Sequence, residues 1–257
     1  MIKVLITGGN GYIAKSLEQA FKGKYEVTSV SRDNFDLTDS NSLGSFFKGK
    51  YFDIVIHAAV KGGNRLKEDD FSVVDQNLRM YYNLLSHRSS YGRLIHFGTG
   101  AEIHSSDTLY GNSKKIISDS INHNRGFFNI RIFAVFDENE LGRRFIKSNL
   151  TKYINKLPME VHFDKFMDFF YMKDLIKVVE YYIENDNPPK QVDCSYRQQE
   201  SLYSIANFIN HLSYHRVKIN EQSVKAQDYC GNFKDLGLNY AGLHEGIKQT
   251  YKKLLDT

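Results

Sequence analysis

Lys3-Val4-Leu5-Ile6-Thr7-Gly8-Gly9-Asn10-Gly11-Tyr12-Ile13-Ala14 is the stretch from which the rest of the chain is read. Residues 2–6 form a short apolar run that reads as a buried strand, ended by Thr7 and Gly8. From Tyr12 the period changes to a helical one, with Ile13, Leu17, Ala20 and Phe21 on one side. Gly8 permits a sharp exit from the strand. Gly11 lets the backbone approach a ligand with no Cβ in the way, and Ala14 is small enough for the helix to pack on a sheet. The helix start then presents unpaired N–H groups and a partial positive charge, a ready site for a phosphate. A plain tight turn explains such glycines equally well in isolation. The position between a first strand and a first helix favours the phosphate reading.

Strand and helix signals continue to alternate outward from that turn. Strands are expected at residues 25–31, 53–59, 93–97 and 128–135. Helices are expected at 40–47, with Ser40 as N-cap, and at about 71–87 and 110–122. Val- and Ile-rich strands alternating with helices imply a parallel sheet covered on both faces, joined by right-handed crossovers. The fold class expected is α/β, a Rossmann doubly wound parallel sheet with a small C-terminal substrate lobe. Residues 1–136 would be the dinucleotide-binding domain. Residues 137–257 would be mainly the lobe, with 167–185 returning to the sheet. In that second part helices are expected at 141–155, 201–212 and 243–255, and a short strand then a helix within 165–184. Brief strands are expected at 191–195 and 215–220.

Composition sets the class. The 257 residues are 41% hydrophobic and 25% charged, ordinary for a globular protein. The net charge of +4 is spread over scattered pairs such as Lys114-Lys115 and Arg143-Arg144, so no nucleic-acid footprint is expected. The bias would still help to draw in a diphosphate. No apolar run is long enough to cross a bilayer, and the first is too short for a secretory signal. The two cysteines, Cys194 and Cys230, have no metal or redox spacing and are expected as free thiols in a reducing cytoplasm. The histidines show no metal-ligand spacing either.

The spacing Gly8-x-x-Gly11-x-x-Ala14 resembles the TGxxGxxG turn of the extended short-chain dehydrogenase/reductase family, with Ala in place of the last glycine. The likeness covers roughly the first 175 residues. It implies a bound dinucleotide held by Gly8, Asn10, Gly11, Tyr12 and Ile13. Asp36 and Leu37 would meet the adenine edge, and Ala58, Ala59 and Val60 would run beneath the cofactor. Asn77 matches a recurrent family asparagine. NAD-using relatives end the second strand on an acidic residue that binds the ribose. Here Ser31 stands in that place, and the guanidinium of Arg32 could grip a 2′-phosphate, so NADP is expected. Asp33 leaves NAD open should the strand end shift.

Tyr110-Gly111-Asn112-Ser113-Lys114 is a Tyr-x-x-x-Lys motif. Residues four apart share a helix face, so a cation beside the ring would favour the phenolate and make its proton useful. The motif opens the helix after the fourth strand, where the resemblance puts the catalytic pair. Thr99, at the end of that strand, is the expected hydroxyl that polarises a carbonyl oxygen. Cofactor contacts by Tyr110 and Lys114, and substrate contacts by Gly62, Thr99 and Arg144, complete the expected site. No metal is expected.

The segments 57–63, 77–80 and 83–85 resemble the nucleotide-sugar branch that contains GDP-fucose synthase. Its bifunctional members carry a cysteine after the catalytic hydroxyl and a histidine after the fifth strand. Here Thr99-Gly100-Ala101 has no cysteine and residues 133–140 no histidine, so 3,5-epimerisation is not expected. A 4,6-dehydratase would need an acid and a base where Gly100 and Ala101 stand. Met167 replaces the usual arginine of a segment resembling RDFVYVDD. What remains is an NADPH-dependent reductase of a nucleotide-diphosphate-linked 4-keto-6-deoxy sugar, in polysaccharide precursor synthesis. An NDP-sugar 4-epimerase and a non-catalytic dinucleotide sensor are the alternatives. The resemblance also implies a homodimer.

Overall fold

The computed structural model describes residues 1–63, 68–221 and 226–256. The chain divides into two compact units. One comprises Met1–Arg131 with Val179–Val192, and the other Ile132–Val178 with Asp193–Thr257. The sequence had suggested a division at 136 and a returning segment at 167–185.

The first unit runs β1 (Lys3–Thr7), α1 (Tyr12–Phe21), β2 (Glu26–Val30), α2 (Ser40–Phe47), β3 (Phe52–His57) and α3 (Ser72–Ser86). It continues with β4 (Tyr91–Thr99), α4 (Ala101–His104), α5 (Leu109–His123) and β5 (Phe127–Ile132). The second unit opens with β6 (Val135–Phe136), α6 (Phe145–Ile154), β7 (Met159–Val161) and β8 (Phe170–Tyr171). Helix α7 (Met172–Glu184) and β9 (Gln191–Asp193) lead to α8 (Leu202–Ile209), β10 (Ile219–Glu221) and α9 (Leu243–Leu255).

The main sheet has six strands in the order β2-β1-β3-β4-β5-β9, and β1/β2, β1/β3 and β3/β4 pair in parallel. The doubly wound sheet expected from the alternation is therefore present. Val4, Leu5 and Ile6 in β1 and Ile54, Val55 and Ile56 in β3 are all buried. Successive strand residues point to opposite faces, so both faces are covered. On one face Leu5, Val55 and Leu94 pack with Leu43 and Phe47 of α2, Tyr81 and Leu84 of α3, and Ile117 and Ile121 of α5. Each such side chain contributes about 1.5–3 kcal/mol through burial. The chain leaves β1 toward β2 and then returns to the other side of β1 for β3. That reversal opens a crevice at the carboxyl ends of β1 and β3, the usual ligand position in such sheets.

Several local expectations shift. The N-cap of α2 is Asp39, not Ser40: its carboxylate accepts from Asn41 N at 3.0 Å and from Ser42 Oγ at 2.7 Å. The fifth strand expected at 128–135 breaks into β5 and β6. Helix α6 starts at Phe145 rather than near 141, because 141–144 form a turn closed by Arg144 N on Leu141 O at 2.9 Å. The second unit holds two further two-stranded pairs, β10-β7 and β6-β8, both parallel. No helix among the described residues is long and apolar enough to cross a membrane. Cys194 is buried and Cys230 half-buried, and neither forms a disulfide among the described residues.

Candidate active site

The glycine turn is built by close approach. Gly8 has φ +75°, and a Cβ on it would fall 2.7 Å from Ala59 Cα, so only glycine lets β1 exit against the end of β3. Gly11 N donates to Gly8 O at 2.8 Å and closes the turn before α1. Gly9 is as constrained. Its N–H donates to Val30 O at 2.8 Å, and a Cβ there would lie 2.6 Å from Ser29 Oγ. Sequence reading gave Gly9 no role, since the contact comes from β2.

A cavity of about 660 Å³ opens in front of this turn. Gly8, Asn10, Gly11, Ser31, Arg32, Asp36, Leu37, Ala58, Ala59 and Val60 line it. Phe35, Asp75, Gln76, Arg79 and Met80 also line it, and the sequence did not single these out. Tyr12 and Ile13 belong to the first turn of α1 behind the glycines. Strand β2 ends at Val30, so Ser31 is the first residue past it. The Asp33 carboxylate accepts from Asn10 Nδ2 at 3.0 Å and Ser31 Oγ at 2.9 Å, and these bonds lower its pKa.

Asn77 is 2% exposed and its amide is fully engaged. It accepts from Lys61 N at 2.9 Å and donates to Lys61 O at 3.0 Å and Ser113 Oγ at 3.1 Å. Asn77 thus fixes the chain just beyond Val60 and ties α3 to α5. Gly62 and Gly63 follow with φ +83° and +70°. A Cβ on Gly63 would fall 2.9 Å from Tyr110 Cζ, so that loop lies directly on the tyrosine ring.

The catalytic candidates gather at the carboxyl end of β4. Tyr110 sits in the first turn of α5, whose N-cap is Thr108. A Cβ on Gly111 would collide with Ser105 O and Ala101 O, so α5 starts pressed against the turn after Thr99. Thr99 is 9% exposed, and its Oγ1 accepts from Ala101 N at 3.3 Å, which leaves the hydroxyl hydrogen for another acceptor. Lys114 is 3% exposed. Its ammonium donates to Phe97 O at 2.5 Å and contacts His96 Nε2 at 3.0 Å. Burial lowers the Lys114 pKa to about 8, while Glu102 opposes the shift. The same burial, with Lys114 nearby, holds His57 down at about 3 and His96 well below its ordinary value, so both rings are neutral. His57 Nδ1 meets Thr7 Oγ1 at 2.9 Å.

Sequence reading missed a buried carboxylate beside these groups. Glu102 takes Thr99 N at 2.9 Å, Asn129 Nδ2 at 3.1 Å and Arg131 Nε at 3.0 Å. It fixes the backbone turn that carries Thr99. Glu102 falls on the inner side of the short helix α4, which three or four residues cannot signal by periodicity. Arg144, expected on the substrate, is the exposed N-cap of α6 in the second unit.

Comparison with known proteins agrees with this architecture. A CDP-abequose synthase of Yersinia pseudotuberculosis is 22% identical, over 72% of this chain and 75% of that protein. A GDP-D-glycero-L-gluco-heptose synthase of Campylobacter jejuni, crystallised in the presence of NADPH, superposes with a TM-score of 0.81 at 15% identity, covering 100% of this chain and 98% of that one. A UDP-glucuronic acid 4-epimerase of Bacillus cereus, in complex with a fluorinated substrate analogue and NAD, superposes with a TM-score of 0.78 at 18% identity over 99% of both chains. At such identities the structural likeness carries the fold. The model of the NAD dependent epimerase/dehydratase family matches residues 4–194, and the chain belongs to that family.

Proposed function

We propose that the protein is an NADPH-dependent reductase of a nucleotide-diphosphate-linked 4-keto-6-deoxy sugar. The observation that carries this reading is the placement of Thr99, Tyr110 and Lys114 together at the carboxyl end of β4, in the unit whose glycine turn opens the cavity. The fit to a dinucleotide rests on that turn: the space a Cβ would fill at Gly8 and Gly11 is taken by backbone, and the cavity beyond is lined by polar residues such as Asn10, Ser31 and Arg32 together with apolar ones such as Leu37, Val60 and Met80. The bound cofactor would supply a hydride. Asn10 and Gly11 would hold the pyrophosphate at the start of α1, Arg32 the 2′-phosphate, and Asp36 and Leu37 the adenine.

Tyr110 donates the proton to the carbonyl oxygen as negative charge develops there. Thr99 donates its remaining hydroxyl hydrogen to the same oxygen. Lys114, as a cation, favours loss of the phenolic proton. The likeness to proteins named as nucleotide-sugar synthases supports the substrate class. A second reading, 4-epimerisation with NAD, draws on Asp33, whose carboxylate is bonded to Asn10 and Ser31, two residues that line the cavity.

The test is a panel of nucleotide-linked 4-keto sugars with NADPH and NADH, read by cofactor absorbance and product NMR. Stoichiometric NADPH consumption with a reduced C4 is expected. Interconversion of C4 epimers with no net cofactor consumption would replace this reading with the epimerase.

A further inference from the structure

We propose that His96 is a positioning residue for Lys114, its Nε2 accepting one of the three ammonium protons and thereby holding the lysine charged and aimed; this rests on the catalytic reading above. The geometry leaves little freedom. Of the three N–H bonds of Lys114, one goes to Phe97 O at 2.5 Å and one to His96 Nε2 at 3.0 Å, both on β4. The third is what remains for Tyr110 or a cofactor hydroxyl. Two fixed acceptors on a rigid strand set the direction of that third bond.

The position itself argues for a role beyond filling space. Residue 96 lies among Leu94, Ile95 and Phe97 in β4, is 1% exposed, and faces the rings of Tyr81 and His57. A leucine or phenylalanine would fill such a site with no polar atom to satisfy. Instead the imidazole carries a buried Nδ1 with no hydrogen-bond partner among the described residues. If Nε2 accepts from an ammonium, the ring hydrogen sits on Nδ1, the unpartnered atom. A buried unpaired N–H is a cost of the kind that functional positions retain.

The groups facing Lys114 come from several elements. They are His96 and the Phe97 carbonyl on β4, His57 on β3 and Glu102 on α4, with Tyr110 one turn earlier on its own helix. Burial drives Lys114 toward the neutral amine, and Glu102 opposes this; an acceptor at His96 would act in the same direction as Glu102. Without that acceptor, the amine would lose its proton at lower pH.

The experiment follows Lys114 by NMR of 13C-labelled lysine in the free protein, with kcat against pH measured in parallel for wild type, His96→Leu and His96→Gln. In His96→Leu the titration of Lys114 moves down by about one pH unit, a tenfold change in its protonation equilibrium, and the alkaline limb of kcat moves with it. In His96→Gln, whose amide oxygen can accept, both return most of the way. Far-UV circular dichroism and the thermal unfolding midpoint, read separately, show that each variant is folded. A Lys114 titration unchanged in His96→Leu, or displaced as far in His96→Gln, would overturn the proposal. The NMR arm needs no substrate, so a displaced titration in a protein without turnover would count against the catalytic reading and leave the role of His96 intact.

Discussion

The two units bury titratable side chains to different ends. In the first, the buried Lys114, Glu102, His57 and His96 cluster around the carboxyl ends of β3 and β4, on a sheet whose backbone is already satisfied by strand pairing. In the second, residues 226–242 contain no helix, and their only sheet contact is an isolated bridge at Tyr229. That stretch is held by carboxylates. Asp168 accepts from Gly231 N at 2.7 Å and Asp193 from Asn232 N at 2.9 Å. Asp174, fully buried, accepts from Ala241 N at 2.9 Å, Gly242 N at 3.0 Å and the Tyr196 hydroxyl at 2.7 Å. Buried backbone groups must be paired, and where no ladder supplies the partner a side chain can. Acidic residues therefore act as structural elements in one unit and surround the proposed chemistry in the other.

The largest expected effect tests the structural side. Asp174→Ala leaves two backbone N–H groups and a phenol without their acceptor, and should cost about 3 kcal/mol or more in urea unfolding. A loss below about 1 kcal/mol would break the contrast. Glu102→Gln tests the other side. It keeps an acceptor for Thr99 N but removes the charge opposite half-buried Arg131, and should cost about 2 kcal/mol while lowering kcat. Unchanged kcat at reduced stability would make Glu102 merely structural. Next comes cofactor choice: Arg32→Ala should weaken NADPH binding about tenfold and leave NADH nearly unaffected, as read by fluorescence titration. Equal losses for both would remove the 2′-phosphate role.

The last comparison is of pH response, read as a slope rather than as a loss. His57 and His96 have pKa values below their unfolded values, so their contribution to stability is full above about pH 6.5 and is lost as pH falls, for His57 through about 3. Glu140, in the second unit, is raised from 4.5 to about 8 by burial. Its contribution is full below 4.5 and is lost as pH rises through about 8. Unfolding of Glu140→Gln between pH 5 and 8 should therefore be less dependent on pH than that of wild type. An identical slope in the two proteins would contradict the assignment.

This contrast also explains what the sequence disclosed. The glycine turn, the strand-helix alternation and the Tyr110/Lys114 spacing are local patterns, set by residues within four or five positions of one another. They located β1 through α5 closely. Glu102, Arg131 and His96 were opaque, because the pairs His96–Lys114 and Glu102–Arg131 span 18 and 29 residues and no periodicity records them. Asp168, Asp174 and Asp193 were opaque for the same reason, with backbone partners 39 to 68 residues distant. Helix α6 was drawn too long, since Leu141-Gly142-Arg143-Arg144 has helical neighbours but weak propensity at Gly142. The break between β5 and β6 fell inside one apolar run, where nothing in the pattern marks it.

Replacement of Tyr110 by Phe, followed by NADPH oxidation with a nucleotide-linked 4-keto sugar, tests the central claim most directly. Loss of the phenolic proton should lower kcat by about 10³-fold, with the dissociation constant for NADPH unchanged. Turnover at the wild-type rate in the Tyr110→Phe protein would contradict the account.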